Sequence, residues 1–157
     1  MNKILFICHG NICRSTMAES VMKDLVCKAG RQYEFVIDSA ATSRDEIGNP
    51  VHHGTVRKLH KEGVPVCEHH ARQFRASEYG NWDLIVYMDD ENLGGLHRIC
   101  REDPEGKFVK LLSFVDGNPG QNAANIADPW YTGDFDATWR DVLSGCKALL
   151  AYLAKQS

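Results

Sequence analysis

An α/β fold, with a parallel sheet covered by helices on both faces, is predicted for this chain by three features of its sequence. Short apolar runs bounded by turn residues recur along it, the clearest at residues 3–7 and 83–88. Between them lie segments whose apolar residues fall at spacings of three and four. Strands that alternate with helices need crossover connections, and these bury both faces of a parallel sheet. The length of 157 residues suits one domain with a sizeable core, expected to span residues 1–157, and no repeat, low-complexity tract or composition break divides it.

Residues 3–7 read as a buried strand that runs straight into a glycine-bearing loop. Residues 17–29 read as a helix, with Met17, Val21, Leu25 and Val26 on one side and Gly30 as its stop. A second strand follows at 34–39. A second helix is expected over 50–62, opened by Pro50 in its first turn and closed by Gly63. Residues 64–67 read as a short piece of strand. The strand at 83–88, centred on Leu84, Ile85 and Val86, leads to Asp89, Asp90 and Glu91, whose charge suits the start of a helix reaching about Arg101. Residues 108–112 form another candidate strand, and 113–131 a loop rich in Gly, Asn, Pro and Asp. A loop of that length is more often functional than idle. The last helix, 134–154, carries an apolar stripe running from Phe135 and Trp139 through Val142, Cys146 and Leu149 to Leu153.

Composition narrows the function. The chain is 43% hydrophobic and 25% charged, with 18 basic and 21 acidic residues giving a formal charge of −3. No basic stripe suggests nucleic acid. The apolar run at 4–8 is too short for an export signal or a membrane span, so a cytoplasmic chain without membrane attachment is expected. None of the six cysteines makes a CxxC pair, and Cys27, Cys67, Cys100 and Cys146 read as small buried apolar residues. His52, His53, His60, His70 and His97 have no ligand-spaced partner and read as surface residues, so no metal is expected.

In a parallel sheet the ligand crevice lies beyond the carboxyl ends of the strands, which directs attention to the loop after the first strand. That loop reads Cys8-His9-Gly10-Asn11-Ile12-Cys13-Arg14-Ser15. A short loop entering a helix turns successive backbone N–H groups inward and forms an anion-binding nest at the helix's positive end. Gly10 and Asn11 tolerate the left-handed backbone such a turn requires. Arg14 supplies a planar fork for two phosphate oxygens, which lysine cannot copy. A helix N-terminus and a nearby cation favour a thiolate, so Cys8 is expected to be ionised and aimed at phosphorus, with Ser15 donating to its sulfur. Asp128-Pro129-Trp130-Tyr131, late in the long loop, offers a carboxyl beside two aromatic residues. Asp128 is suited to protonate a leaving alcohol and then to activate water. Trp130 and Tyr131 are suited to wall the cleft and stack on an aromatic leaving group.

On these residues the chain resembles the low-molecular-weight protein tyrosine phosphatase family. The resemblance spans nearly the whole length, through the loop at 8–15, Asp38-Ser39-Ala40, His69-His70-Ala71-Arg72-Gln73, Met88-Asp89 and Asp128-Pro129. It implies a four-stranded parallel sheet flanked by helices, Rossmann-like, with no metal or organic cofactor. It also implies hydrolysis of phosphotyrosine and small aryl phosphates through a phosphocysteine, by a monomer acting on a protein or peptide. The implied nucleophile is Cys8, the phosphate clamp Arg14 and the general acid Asp128, with His9, Gly10, Asn11, Ile12 and Cys13 completing the phosphate loop. Asn11 would hold that loop in shape, supported by Ser15, Ser39 and His69. Relatives acting on phosphoarginine look to carry threonine where Ile12 stands, so isoleucine favours phosphotyrosine, with an arginine phosphatase as the alternative.

Two departures stand out. Thr16 follows Ser15 where the family often has proline, which leaves the helix start open. The loop at 43–47, Ser43-Arg44-Asp45-Glu46-Ile47, lacks the aromatic wall of several relatives. Its acidic side, with Asp45 as a cleft-wall residue, reads as a solvated edge, the alternative being selection of basic sequences around the phosphotyrosine. Cys13 lies five residues from Cys8, so oxidation could join the two and spare the nucleophile, or Cys13 has no redox role. An arsenate reductase would need two closely spaced cysteines near 75–95, which are absent. A cysteine phosphocarrier would have no use for Asp128, and a binding module that had lost catalysis would lack Cys8 or Asp128.

Overall fold

Strand β1 (Asn2–Cys8) is hydrogen-bonded along both edges, which is why its residues from Ile4 onward are all buried. The computed structural model describes residues 1–156. In it β1 pairs in parallel with β2 (Phe35–Ala41) on one side and β3 (Leu84–Tyr87) on the other, and β4 (Phe108–Lys110) extends the sheet beyond β3. The order is β2-β1-β3-β4. Alternate residues of β1 serve opposite layers, as the period of a strand requires. Ile4, Phe6 and Cys8 meet Met17, Val21 and Met22 of α1 (Arg14–Lys28) and Val142, Cys146 and Leu149 of α5 (Phe135–Gln156). Leu5 and Ile7 meet Leu96 of α3 (Asp90–Ile99), with Phe74 and Trp82. The expected architecture is present, with helices on both faces of a four-stranded parallel sheet.

Because the chain steps from β1 to one neighbour and then crosses to the other, the sheet has a switch point at the end of β1. A crevice opens there between diverging crossovers. Cys8 is the last residue of β1 and so stands at that point.

Local details differ from the sequence expectations for identifiable reasons. Helix α1 starts at Arg14, ahead of its apolar stripe, and Thr16 fits its first turn by donating its hydroxyl to the Cys13 carbonyl at 3.1 Å. Helix α2 (His53–Lys61) starts after Pro50, not at it: Pro50 bridges to His70, and His52 caps the helix by accepting the Gly54 N–H at 3.0 Å. The run at 64–67 forms no strand, since the Cys67 N–H is spent on Ser20 Oγ at 3.0 Å. Strand β4 ends at Lys110, where a 3₁₀ turn (Leu111–Phe114) begins. The long loop closes with a short helix, α4 (Pro129–Thr132). Cys100 and Cys146 are buried as expected, but Cys27 is exposed and Cys67 only half-buried. Cys27 follows the core residue Val26 by one position, and a step of one turns a helical side chain off the buried face.

Candidate active site

Between β1 and α1 the chain turns through Asn11, which among the described residues is the only non-glycine with a positive φ, at 60°. Its buried side chain holds that conformation from both ends. Nδ2 donates to Ser15 Oγ at 2.8 Å and to Ser39 Oγ at 2.9 Å, while Oδ1 accepts from the Arg72 N–H at 3.2 Å and from His69 Nε2 at 2.7 Å. An amide oxygen only accepts, so His69 must carry its proton on Nε2. Ser39 donates its own hydroxyl hydrogen bond to Glu19 Oε1 at 2.6 Å. Ser15, already accepting from Asn11, is left to donate to Cys8 Sγ at 3.0 Å, and the Asn11 N–H points at the same sulfur from 3.3 Å. Two donors converging on one sulfur suit an anionic atom.

Arg14 is 2% exposed, and both of its terminal nitrogens have protein partners. One terminal nitrogen donates to Asp89 Oδ2 at 2.5 Å and to the Ile126 carbonyl at 2.8 Å, and the other approaches Asp128 Oδ2 at 3.4 Å. Burial alone would depress the guanidinium's pKa, but Cys8, Asp89 and Asp128 raise it instead. Asp89 is held in turn as the cap of α3, accepting the Asn92 N–H at 2.9 Å. Asp128 caps α4 through the Trp130 N–H at 3.1 Å. The loop that brings it in is anchored by the buried Lys110, whose ammonium reaches the Ala123 carbonyl at 2.8 Å and Asp90 at 2.7 Å. Burial, then the neighbouring Cys8 and Asp128, push the Cys13 thiol up.

Beside these groups lies a cavity of about 160 Å³ that Cys8 and Asp128 line, while Arg14 and Asp89 border the adjoining hollow. Cys8, His9, Gly10, Ile12 and Cys13 form its floor, Asp45 and Glu46 one wall, and Asp128, Trp130 and Tyr131 the other. Gly10 lets Glu46 close in, since a Cβ there would stand 3.3 Å from Glu46 Cγ. Asp45 is exposed, as a solvated edge should be, yet it also lines the cavity and bonds to His9 at 2.8 Å.

Over residues 3–157 the sequence matches the family model for low molecular weight phosphotyrosine protein phosphatases. The chain belongs to that family. It is 36% identical over 156 residues to the low molecular weight protein-tyrosine-phosphatase YfkJ of Bacillus subtilis, covering 99% of this chain and 98% of the relative. The crystal structure of YfkJ superposes with a TM-score of 0.92 over 100% of this chain and 97% of that one. PtpA of Staphylococcus aureus strain Newman is 32% identical over 100% of this chain and 97% of its own. A Drosophila arginine phosphatase has the same fold at 28% identity, with a TM-score of 0.81 and coverage of 96% and 97%.

In this phosphatase the sequence-predicted residues Cys8, Arg14, Asp128, Asn11, Ser15, Ser39 and His69 lie together in one connected site. Sequence reasoning missed Glu19 altogether, missed Asp89 as the partner of Arg14 and Glu91 as the partner of His9, and had Glu46 only within the acidic 43–47 edge. Asp89 was legible as a helix start but not as a contact, because nothing local marks a pairing 75 residues away. Glu19, Asp38 and His69 bring one ligand atom each within 4.8 Å of one another, a spacing a metal ion could use. Their charge is already met: Lys23 lies 2.7 Å from Glu19, Arg72 lies 3.0 Å from Asp38, and His69 is committed to Asn11.

Proposed function

We propose that this phosphatase hydrolyses phosphotyrosine in proteins or peptides, and small aryl phosphates, through a phosphocysteine formed on Cys8. The observation that supports this most is the placement of Cys8 Sγ, with two donors aimed at it, on the floor of a cavity whose wall carries Asp128. The Cys8 thiolate attacks phosphorus opposite the phenolic oxygen, forming the S–P bond as the P–O bond breaks. Charge developing on the phosphoryl oxygens is met by the N–H groups of residues 9–14 and by the Arg14 fork. Asp128 gives its proton to the departing phenolate. As a carboxylate it then takes a proton from the water that attacks phosphorus, and the S–P bond breaks to return the thiolate. Ser15 steadies the sulfur in both steps.

Ile12 contributes an aliphatic patch to the floor, which suits a phenyl ring. Trp130, 56% exposed and edge-on to His52 at 5.7 Å between ring centroids, and Tyr131, 83% exposed, offer aromatic faces to that ring. The reading takes residues 1–157 as one catalytic unit acting as a cytoplasmic monomer. No helix among the described residues is long and apolar enough to cross a membrane.

Turnover of matched phosphotyrosine, phosphoserine and phosphoarginine peptides tests the proposal, with Cys8→Ser as the blank. The phosphotyrosine peptide should be hydrolysed and the blank inert. Asp128→Ala should lower kcat by ~10²–10⁴, and Asp128→Asn, which keeps the α4 cap, should do the same. A phosphocarrier would be indifferent to both changes. Activity confined to phosphoarginine would overturn the substrate assignment, and loss of activity only in variants that unfold would overturn the role of Asp128.

A further inference from the structure

His9 follows the nucleophile in the phosphate loop, yet its side chain leaves the phosphate site and lies across the rim. Nε2 is 2.8 Å from Asp45 Oδ2, in the loop after β2, and Nδ1 is 3.4 Å from Glu91 Oε2, in the first turn of α3. Carboxylates only accept, and a neutral imidazole carries a single N–H, so only the imidazolium satisfies both partners at once. The ring also borders two adjoining hollows, as Asp128 and Tyr131 do. One is the phosphate cavity, and the other is a neighbouring space of about 300 Å³ bounded by Arg14, Asp89, Glu91, Asp128 and Tyr131. His9 lines both.

We propose that the position between Asp45 and Glu91 is a subsite for a cationic side chain, lysine or arginine, flanking the phosphotyrosine, and that protonated His9 is its built-in occupant. The proposal rests on the phosphatase reading above and specifies which peptides that site prefers. An ammonium or guanidinium arriving beside the phosphate meets the two carboxylates that now hold the imidazolium, with Glu46 on the same wall. While His9 is protonated it competes for the place. Once it is neutral, only one of its two bonds survives and the peptide's cation, still charged, takes over.

The charges around the ring set the direction of that competition. Facing it are Asp45 and Glu46 from the loop after β2, and Asp89 and Glu91 from the start of α3, with Arg98 3.7 Å from Glu91. Asp128 and Tyr131 face it from the late loop, with Arg14 and Cys8 below. Carboxylates outnumber cations. Burial by itself would lower the pKa of His9, but the Asp45 hydrogen bond and the Glu91 charge raise it above the ordinary 6.5. Occupancy by His9 is therefore complete below 6.5 and is lost as pH rises through the elevated value, so preference for basic peptides grows with pH.

The test compares two phosphotyrosine peptides that differ only in lysine or glutamine at the flanking positions, from about pH 5.5 to about pH 8.5. The ratio of their kcat/KM values cancels the protonation of Cys8, Asp128 and the phosphate, which both peptides share. In the native protein the ratio should rise with pH by roughly two- to fivefold, the size of exposed ion pairs, and shrink in high salt. In His9→Gln, uncharged at every pH, it should be high and flat. In Glu91→Gln it should be low throughout. A flat ratio in the native enzyme, or a pH-dependent ratio that survives His9→Gln, overturns the subsite while leaving the phosphatase reading intact. Absence of turnover on both peptides would instead remove that reading and the subsite together.

Discussion

Asp89 does two jobs with its two carboxylate oxygens, and a single substitution separates them. Oδ1 caps α3 through the Asn92 N–H, and Oδ2 takes the Arg14 guanidinium. Asparagine caps a helix as well as aspartate does, so Asp89→Asn keeps the local fold and replaces the carboxylate oxygen opposite Arg14 by an uncharged amide NH₂ that cannot accept from it. A hydrogen bond to a charged group contributes ~1.5–3 kcal/mol, so kcat/KM on an aryl phosphate should fall by roughly ten- to a hundredfold. The melting temperature should stay near that of the native protein. A variant that melts far earlier would mean the carboxylate is needed for folding more than for holding Arg14. The residues of this site that sequence could reveal are those with a local signature. Cys8, Asn11 and Arg14 announce themselves by spacing in one loop, and Asp128 by its place beside proline and two aromatics. Asp89 and Glu19 act through partners far along the chain, and pattern alone does not reach them.

Adjacent glycines in α3 show the same limit at the scale of an element. The helix was legible from its acidic start despite the cost of Gly94 and Gly95 in its interior. The structure gives the two different meanings. A Cβ at Gly94 would meet little beyond the Arg98 guanidinium at 3.7 Å, whereas one at Gly95 would stand 2.7 Å from Thr42 Cβ. Gly95 is what lets α3 seat against the chain just after β2, and so sets where Asp89 and Glu91 reach the rim. Opposite outcomes follow in urea unfolding. Gly94→Ala should stabilise by up to ~1 kcal/mol through helix propensity, and Gly95→Ala should destabilise by ~1–3 kcal/mol through overpacking. Equal effects of the two would mean that the Thr42 contact yields freely. The misplaced elements have a similar cause. The start of α2 rests on Pro50 as a first-turn residue and the run at 64–67 on its local pattern, but Pro50 is drawn into a bridge with His70, and Cys67 is claimed by Ser20 of α1.

Across the whole molecule, the β-α alternation made the sheet legible, and the strand order then decides which loops converge. Loops after β1, β2 and β3 all open at one end, so His69 can bind Asn11 from a segment 58 residues away. That convergence ties the shape of the phosphate loop to the stability of the fold, through pH. Burial lowers the pKa of His69 despite the charges of Glu19 and Asp38, with Arg72 and Lys23 acting in the same direction as burial. Burial lowers His52 too, at the cap of α2. A folded-state pKa below 6.5 means that the unfolded chain binds more protons in that interval. The stability these histidines contribute is therefore complete above 6.5 and is lost as pH falls through their lower folded values. His9 works in the opposite sense, being raised, but it is exposed enough at the rim for solvent to screen it. Melting temperature should accordingly drop as pH is taken from about 7 to about 5. His69→Gln removes the titrating group while keeping a donor for Asn11 Oδ1. Its melting temperature should change less steeply with pH than that of the native protein, and an identical slope would assign the acid sensitivity to groups outside this network.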